Sequence, residues 1–309
     1  MPSLIKEVSA LVRAASLQKQ SVEDLRRRGV TIIAADLQGP EDDLTSALAG
    51  KDVLIASLPP QNTLDQIGLA TAAVKAGIKR FVPNAWATVA PAEGVMILRD
   101  VKEQVFNHIK KIRLPFTIID IGFWHEGVTP VVPSGKFGTA SMVGKNFLIG
   151  DGSTPSAVTS MDDVGPFVAR IIADPRTLNR YVFAYGEIKT QLDCLSLAKK
   201  LTGEELEVVP ISLDKVSQLA NAAETDEYTL WHKMFVQYFN TVWVRGDNCP
   251  RYAKELGYMD AKELYPDLPF KTLEESMLET LQGRRNFPEA IGDDQYWEVI
   301  AKLLTGGVL

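Results

Sequence analysis

Short apolar runs and amphipathic stretches alternate along the chain as far as Ile121. Val8 to Val12 reads as a buried strand, and the pattern from about Gln18 to Arg28 as a helix that stops at Gly29, a residue suited to a helix C-cap. The same alternation predicts strands at Val30–Ala34, Asp52–Ser57, Arg80–Pro83 and Phe116–Ile121. The helices between them fall at about 41–49, Asn62–Ala76 and Arg99–Lys111, with Pro59-Pro60 and Gly77 as stop signals. Parallel strands need crossover elements, so strands alternating with helices predict βαβ units and a doubly wound α/β sheet over residues 1–124.

Beyond Trp124 the alternation loosens. A loop rich in Gly, Pro and Ser from Pro130 to Gly152 precedes helices near 162–173, 191–202 and 212–220. Residues 125–283 are therefore expected to form a smaller C-terminal α/β substrate region. The stretch 284–309, opening on Arg284-Arg285, reads as an appended helical tail. There is no internal repeat and no low-complexity tract.

Composition narrows the class of function. With 309 residues, 46% of them hydrophobic and 23% charged, the chain has the make-up of an ordinary globular protein, which excludes a disordered or fibrous one. The net charge of −6, with basic residues scattered, gives no footprint for a phosphate backbone, so no nucleic-acid partner is expected. Cys194 and Cys249 lie far apart, with no Cys or His at metal-ligand spacing. Neither a disulfide framework nor a zinc site follows, and a reducing cytoplasm fits best. No apolar run approaches the roughly 18–20 residues of a membrane span, and MPSLIKEVSA lacks the regions of a signal peptide. No membrane partner is expected.

Four stretches resemble the fungal NmrA-like and isoflavone-reductase-like proteins, relatives of the plant phenylcoumaran benzylic ether and pinoresinol reductases. They are Ala10-Leu11-Val12-Arg13, Lys79-Arg80-Phe81-Val82-Pro83-Asn84-Ala85-Trp86, Leu98-Arg99-Asp100-Val101-Lys102 and Leu114-Pro115-Phe116-Thr117. A fifth, Ala261-Lys262-Glu263-Leu264-Tyr265-Pro266-Asp267, is similar to a C-terminal signature of that branch. With Met161-Asp162-Asp163-Val164-Gly165 the resemblance covers about 8–283. It implies a Rossmann-like nucleotide-binding fold, NADP(H) as cofactor, a small aromatic or polycyclic substrate, and a monomer or homodimer.

One part of that family pattern has no counterpart. The family's first strand ends in a glycine-rich turn where helix N–H groups hold the cofactor pyrophosphate, yet no GxGxxG or GxxGxxG precedes Arg13. What should be the second strand begins almost at Met1. Removing a central strand leaves backbone N–H and C=O groups without partners. The expectation is that the chain as given starts short of that strand; the alternative is a rearranged sheet that has given up normal dinucleotide binding.

By the resemblance, Arg13 at the end of the second family strand would pair with the 2′-phosphate of NADP, with Ser16 and Lys19 completing that pocket. Asp36 and Leu37 would border the adenine, and Ser57, Leu58 and Pro59 would run beside the ribose. Asn84 and Trp86 follow the next strand. Trp86 would wall the nicotinamide or substrate pocket, or fill the core. Gly122 stands where plant relatives carry an Asn, beside Phe123 in the cofactor set. His125 would be a second acid or base, against the plain alternative of a loop histidine.

Lys102 is the most informative single residue. On a helix it shares a face with Val105, Phe106 and Ile109, whereas Glu103, Asn107 and Lys111 point away. A lysine there either snorkels to water or does chemistry. It matches the family's catalytic lysine, thirteen residues before Pro115. Burial favours a neutral amine, which suits a proton donor or acceptor beside a nicotinamide. His108 and His232 lack ligand partners and read as structural. Tyr228, Trp231, Phe235, Tyr238, Phe239 and Trp243 recur at helical spacing and read chiefly as core. No Tyr-x-x-x-Lys pair and no nucleophile elbow occurs. These readings point to an NADPH-dependent reductase of an aromatic or polycyclic secondary metabolite. The alternatives are a non-redox isomerase or cyclase using Lys102 and His125, and a non-enzymatic NADP-sensing regulator.

Overall fold

The computed structural model describes residues 7–226, 228–285 and 294–306. Parts of the expected tail, 286–293 and 307–309, lie outside the described residues. In chain order the first elements are β1 (Ser9–Val12), α1 (Gln20–Arg27), β2 (Thr31–Ala34), α2 (Glu41–Leu48), β3 (Val53–Ile55), α3 (Gln66–Lys75), β4 (Arg80–Val82), α4 (Ile97–Lys111) and β5 (Thr117–Asp120). There follow β6 (Phe123–Trp124), α5 (His125–Val128), β7 (Phe147–Ile149), β8 (Ser156–Thr159), α6 (Met161–Ala173), β9 (Arg180–Phe183), β10 (Glu187–Lys189), α7 (Gln191–Thr202) and β11 (Val209–Ile211). The last are α8 (Leu213–Asn221), α9 (Leu230–Phe239), α10 (Pro250–Glu255), β12 (Met259–Asp260), α11 (Ala261–Leu264), α12 (Leu273–Leu281) and α13 (Asp294–Thr305). No helix among the described residues is long and apolar enough to cross a membrane.

Two compact units divide the chain. The first comprises Met1–Ala85, Val101–Ile118 and Ile171–Arg180; the second comprises Trp86–Asp100, Ile119–Arg170 and Tyr181–Leu309.

In the first unit the apolar runs become parallel pairs, as crossover helices require. β1 runs parallel to β2, with Ser9 opposite Thr31, and β3 parallel to β4, with Val53 opposite Arg80. A bridge from Phe81 to Phe116 continues the second pair toward β5. β1 and β3 belong to different sheets, so the strands expected in one sheet here come in two pieces. Burial follows this break. All of β1 is only half-buried and Ile55 of β3 is 42% exposed, whereas Arg80, Phe81 and Val82 of β4 are buried as parallel strands usually are. Beside the strands α2 packs on α3, bringing together buried Leu44 and Leu48 and the small Ala70, Ala72 and Ala73.

Arg80 ties this unit together. Its guanidinium donates to Thr117 Oγ1 (3.0 Å), Thr177 Oγ1 (2.7 Å) and the carbonyls of Ile171 (3.1 Å) and Asp174 (2.9 Å). A planar fork of donors reaches several acceptors that no apolar side chain could satisfy.

The second unit holds the short strands that the sequence pattern leaves unmarked. β8 runs antiparallel to β10 and parallel to β6, β7 pairs with β11, and β9 lies between β12 and β5. Buried Asn248 stitches this unit: its Oδ1 accepts from Val89 N, and its Nδ2 donates to Ser156 Oγ and the Ala157 carbonyl. The core gathers Phe147, Ile149, Val236, Phe239, Val242 and Trp243. α13 is part of this core, with Trp297, Ile300, Ala301 and Leu304 buried in it. Gly144 makes room, since a Cβ there would stand 2.3 Å from the Trp297 ring. Of the aromatic stripe, Tyr228, Phe239 and Trp243 are buried as core, whereas Trp231 is 55% exposed.

Arg80→Met should destabilise the protein by about 3 kcal/mol or more, because several buried acceptors lose their donor at once. The denaturant midpoint measures it. A loss under about 1 kcal/mol would count against this role.

Candidate functional site

In the first unit the candidate residues stand at the carboxyl ends of the strands. Arg13 follows β1, is exposed, and offers its carbonyl to Ser16 N (2.8 Å). Lys19 caps the start of α1 through its carbonyl and is likewise exposed, with Ser16 half-buried between them. Neither cation has an ion-pair partner among the described residues. After β2, Asp36 turns the chain back with its carboxylate on Gln38 N (3.0 Å), and Leu37 is half-buried. Ser57 and Pro59 are exposed after β3, and Leu58 lies half-buried between them.

Asn84 binds the ends of β3 and β4 together. It is buried, donates from Nδ2 to the Leu58 carbonyl (2.7 Å) and from its backbone N to Gln66 Oε1 (2.7 Å). Its amide thus serves the frame around the strand ends.

Lys102 sits on the apolar face of α4 as the periodicity predicts. It is 7% exposed, between Val105, Phe106 and Ile109 at 0–1%, while Asn107 and Lys111 are exposed. Its ammonium donates to the carbonyl of Ala85, just past β4. Leaving a cation this far from water is costly unless something fixes or uses it.

In the second unit Trp86 adopts φ +34°, a left-handed backbone rare for a bulky residue. Gly122 also has positive φ (+77°), and a Cβ would meet the Ala157 carbonyl at 2.8 Å. At Gly122 the backbone of β8 occupies the space a side chain would need. Phe123 stacks on Tyr238 (6.2 Å, 18°) and meets Trp243 edge-on at 6.4 Å.

His125 is 1% exposed, and its Nδ1 lies 2.7 Å from Ser276 Oγ. Burial, and then the positive charge of Arg285, push its pKa down to about 3, so the ring is neutral at physiological pH. The next residue, Glu126, pairs with Arg285 at 2.7 Å. Burial raises the Glu126 carboxyl, with Arg285 opposing.

Sequence reasoning passed over one cluster. Asp120 at the end of β5 is buried, with Oδ2 accepting from Arg99 (2.9 Å) and from the Tyr258 hydroxyl. A carboxylate inside the apolar run Phe116 to Ile121, and an arginine one turn before Lys102, were the signals available. A cavity of about 50 Å³ lies elsewhere in this unit, lined by Thr129, Phe147, Cys194, Phe239 and Trp243 among others. No expected site residue lines it, and burial pushes the Cys194 thiol up to about 12. Among the described residues no cluster of His, Cys, Asp and Glu could hold a metal ion.

The chain is similar to known proteins over most of its length. The chain is 41% identical over 292 residues to an asnovolin J 5′,6′-dehydrogenase of Aspergillus novofumigatus, covering 92% of this chain and 89% of the relative. It is 26% identical to a phenylcoumaran benzylic ether reductase of Betula pendula, covering 86% and 88% respectively. The structure of leucoanthocyanidin reductase from Vitis vinifera, in its binary complex with NADPH, superposes with a TM-score of 0.72 at 20% identity, covering 89% of this chain and 90% of that one. That likeness establishes the α/β fold of the NADPH-binding reductases. Since the model of the NmrA-like family matches residues 6–276, nearly the whole described chain, the protein belongs to the NmrA-like family.

Proposed function

We propose that the protein is an NADPH-dependent reductase of an aromatic or polycyclic secondary metabolite, with Lys102 as the group that gives or takes the proton. The observation that carries this reading is the burial of the Lys102 ammonium on an apolar helix face, held by the carbonyl that follows β4. Packing alone would be served by any apolar residue there, whereas a proton carrier needs an ionisable group near open strand ends. The dehydrogenase and reductases among its relatives support the redox assignment.

The residues present fit the adenosine end of NADPH. Arg13 and Lys19 are exposed cations after β1, suited to a 2′-phosphate, with Ser16 beside them. Asp36, Leu37, Ser57, Leu58 and Pro59 follow β2 and β3, where open parallel sheets collect ligands, and Asn84 fixes that edge. Trp86, Gly122 and Phe123 lie in the second unit and do not enter this fit. When bound, NADPH supplies the reducing equivalent. The chain's own part is to hold the nucleotide, orient the ring system and keep a proton at Lys102 Nζ. We assign His125 to structure, because its ring is buried, neutral and hydrogen-bonded to Ser276.

The reading is tested by screening the purified protein for NADPH consumption with ring-bearing electrophilic metabolites. Conversion to an isomer of equal mass without NADPH consumption would replace it with acid–base isomerisation. Lys102→Met keeps the stem and deletes the ammonium, so turnover should fall about 100-fold or more while the melting temperature stays near wild type. Undiminished turnover would return Lys102 to a packing role.

Arg13→Glu should weaken NADPH binding by roughly 10- to 100-fold and leave NADH binding nearly unchanged, because the lost contact is to the 2′-phosphate alone. Calorimetric titration with both nucleotides checks this, and equal losses would remove the phosphate role.

The His125 pKa, about 3 when folded, lies below its unfolded value near 6.5, so the unfolded chain binds the extra proton between them. The stability due to the neutral ring is complete above about pH 6.5 and is lost as pH falls toward 3. At pH 4.5 the loss should reach about 2–3 kcal/mol relative to pH 7.5, and His125→Asn should not show it. Denaturant titrations of both proteins across that range measure the difference.

A further inference from the structure

Gln66 opens α3 as a buried amide on an otherwise apolar helix. It is 1% exposed, and Leu69, Ala70, Ala72 and Ala73 are buried after it. Burying an amide is costly unless its donor and acceptor are both used, so packing alone would be served by a leucine or methionine. Both ends of Gln66 are used. Its Oε1 accepts from the backbone N of Asn84 (2.7 Å), and its Nε2 donates to the Thr63 carbonyl (2.9 Å). One orientation of the amide satisfies a donor and an acceptor so placed, and the flipped one satisfies neither.

From Asn84 the contacts lead to Lys102. Asn84 is held on a second side, where its Nδ2 donates to the Leu58 carbonyl (2.7 Å). Ala85 N closes a tight turn on the Pro83 carbonyl (2.8 Å), and the Ala85 carbonyl receives the Lys102 ammonium. Peptide groups are planar, so the direction of a carbonyl follows from the few backbone torsions beside it. The two clamps on Asn84 and the turn after it therefore aim the Ala85 oxygen. Thr63 is itself fixed, with its hydroxyl on the Pro60 carbonyl (2.8 Å). The path from Thr63 through Gln66, Asn84 and Ala85 to Lys102 lies wholly within the first unit.

We infer that Gln66 is a positioning residue for Lys102: by clamping the backbone of Asn84 it holds the turn at 83–85 so that the Ala85 carbonyl meets Lys102 Nζ. The assignment rests on the reading of Lys102 as the proton carrier and adds what fixes the place of that proton. A carbonyl that accepts from an ammonium favours the charged, anchored amine over the free one. Without the clamp the turn relaxes, Nζ leaves its acceptor, and the amine becomes more reactive. A Gln66 that merely satisfied the loop would affect stability and leave the reactivity of Lys102 alone.

Competitive labelling with acetic anhydride, read by peptide mass spectrometry, separates the two. Lys111, exposed on the same helix, is the internal reference. In Gln66→Met the ratio of Lys102 to Lys111 acetylation should rise about tenfold over wild type, at a temperature where both proteins are folded. Leu44→Val thins the packing of α2 on α3 without touching the turn, and should leave the ratio within about twofold of wild type. If Gln66→Met melts too low to label, Gln66→Asn decides, since its shorter side chain stops short of Asn84 N and the ratio should rise about threefold. An unchanged ratio in the Gln66 variant labelled, or an equal rise in Leu44→Val, would overturn the assignment. Labelling uses neither NADPH nor substrate, so its outcome is independent of whether NADPH-dependent turnover is found.

Discussion

Buried charge held by fixed partners is the constraint on which both units depend. Arg80 gathers the carbonyls of Ile171 and Asp174 and two threonine hydroxyls around the start of β4, which brings residues about ninety positions apart in the chain into one unit. In the second unit Arg99 with Asp120, and Arg285 with Glu126, do the same for β5 and α5. Desolvated ions of this kind add little net stability over a well-packed apolar core, but removing one partner is strongly destabilising. They select one arrangement of the chain. Lys102 is likewise buried, with its ammonium donating to the carbonyl of Ala85.

The part of the fold legible in the sequence is the part where burial imposes a long enough pattern. β1 to β5 are apolar runs separated by helices of eight to fifteen residues, and both kinds of element show in the order of residues. Strands β7 to β12, at two to four residues, are about as short as β1 to β5, but no regular alternation with helices marks them in the sequence. Their partners are distant, as with Phe147 beside Val209 and Met259 beside Val182, and only tertiary packing defines them. Of the site, Lys102 was legible because one cation interrupts a helical face. The reason for Gly122 was not, since it is the carbonyl of Ala157, thirty-five residues on.

The C-terminal signature that resembles the family also finds a structural explanation. Lys262 donates to the Gly186 carbonyl, with its ammonium 3.8 Å from the centre of the Phe270 ring and 5.2 Å from that of Tyr185. Arg170 lies over Tyr265 and forms a two-pronged pair with Asp267. These contacts join α6, the end of β9 and α11. A motif can therefore carry family identity while its side chains do only structural work, and family resemblance alone does not separate such residues from Lys102.

The divided sheet of the first unit bears directly on how it can hold a nucleotide. A glycine-rich turn binds pyrophosphate through backbone N–H groups and a helix dipole, fixed donors that salt screens poorly because they lie close to the anion. After β1, which the resemblance makes the family's second strand, the chain enters a short turn at Ala14–Ser16, and α1 begins at Gln20. The cations there, Arg13 and Lys19, are exposed side chains that must be ordered on binding and are screened by salt. On the roles proposed for Arg13 and Lys19, the attraction between these cations and a dinucleotide is concentrated on the 2′-phosphate. Selectivity for NADPH over NADH should consequently form a larger share of the total affinity than in a fold with a complete phosphate cradle, and should decline steeply with ionic strength.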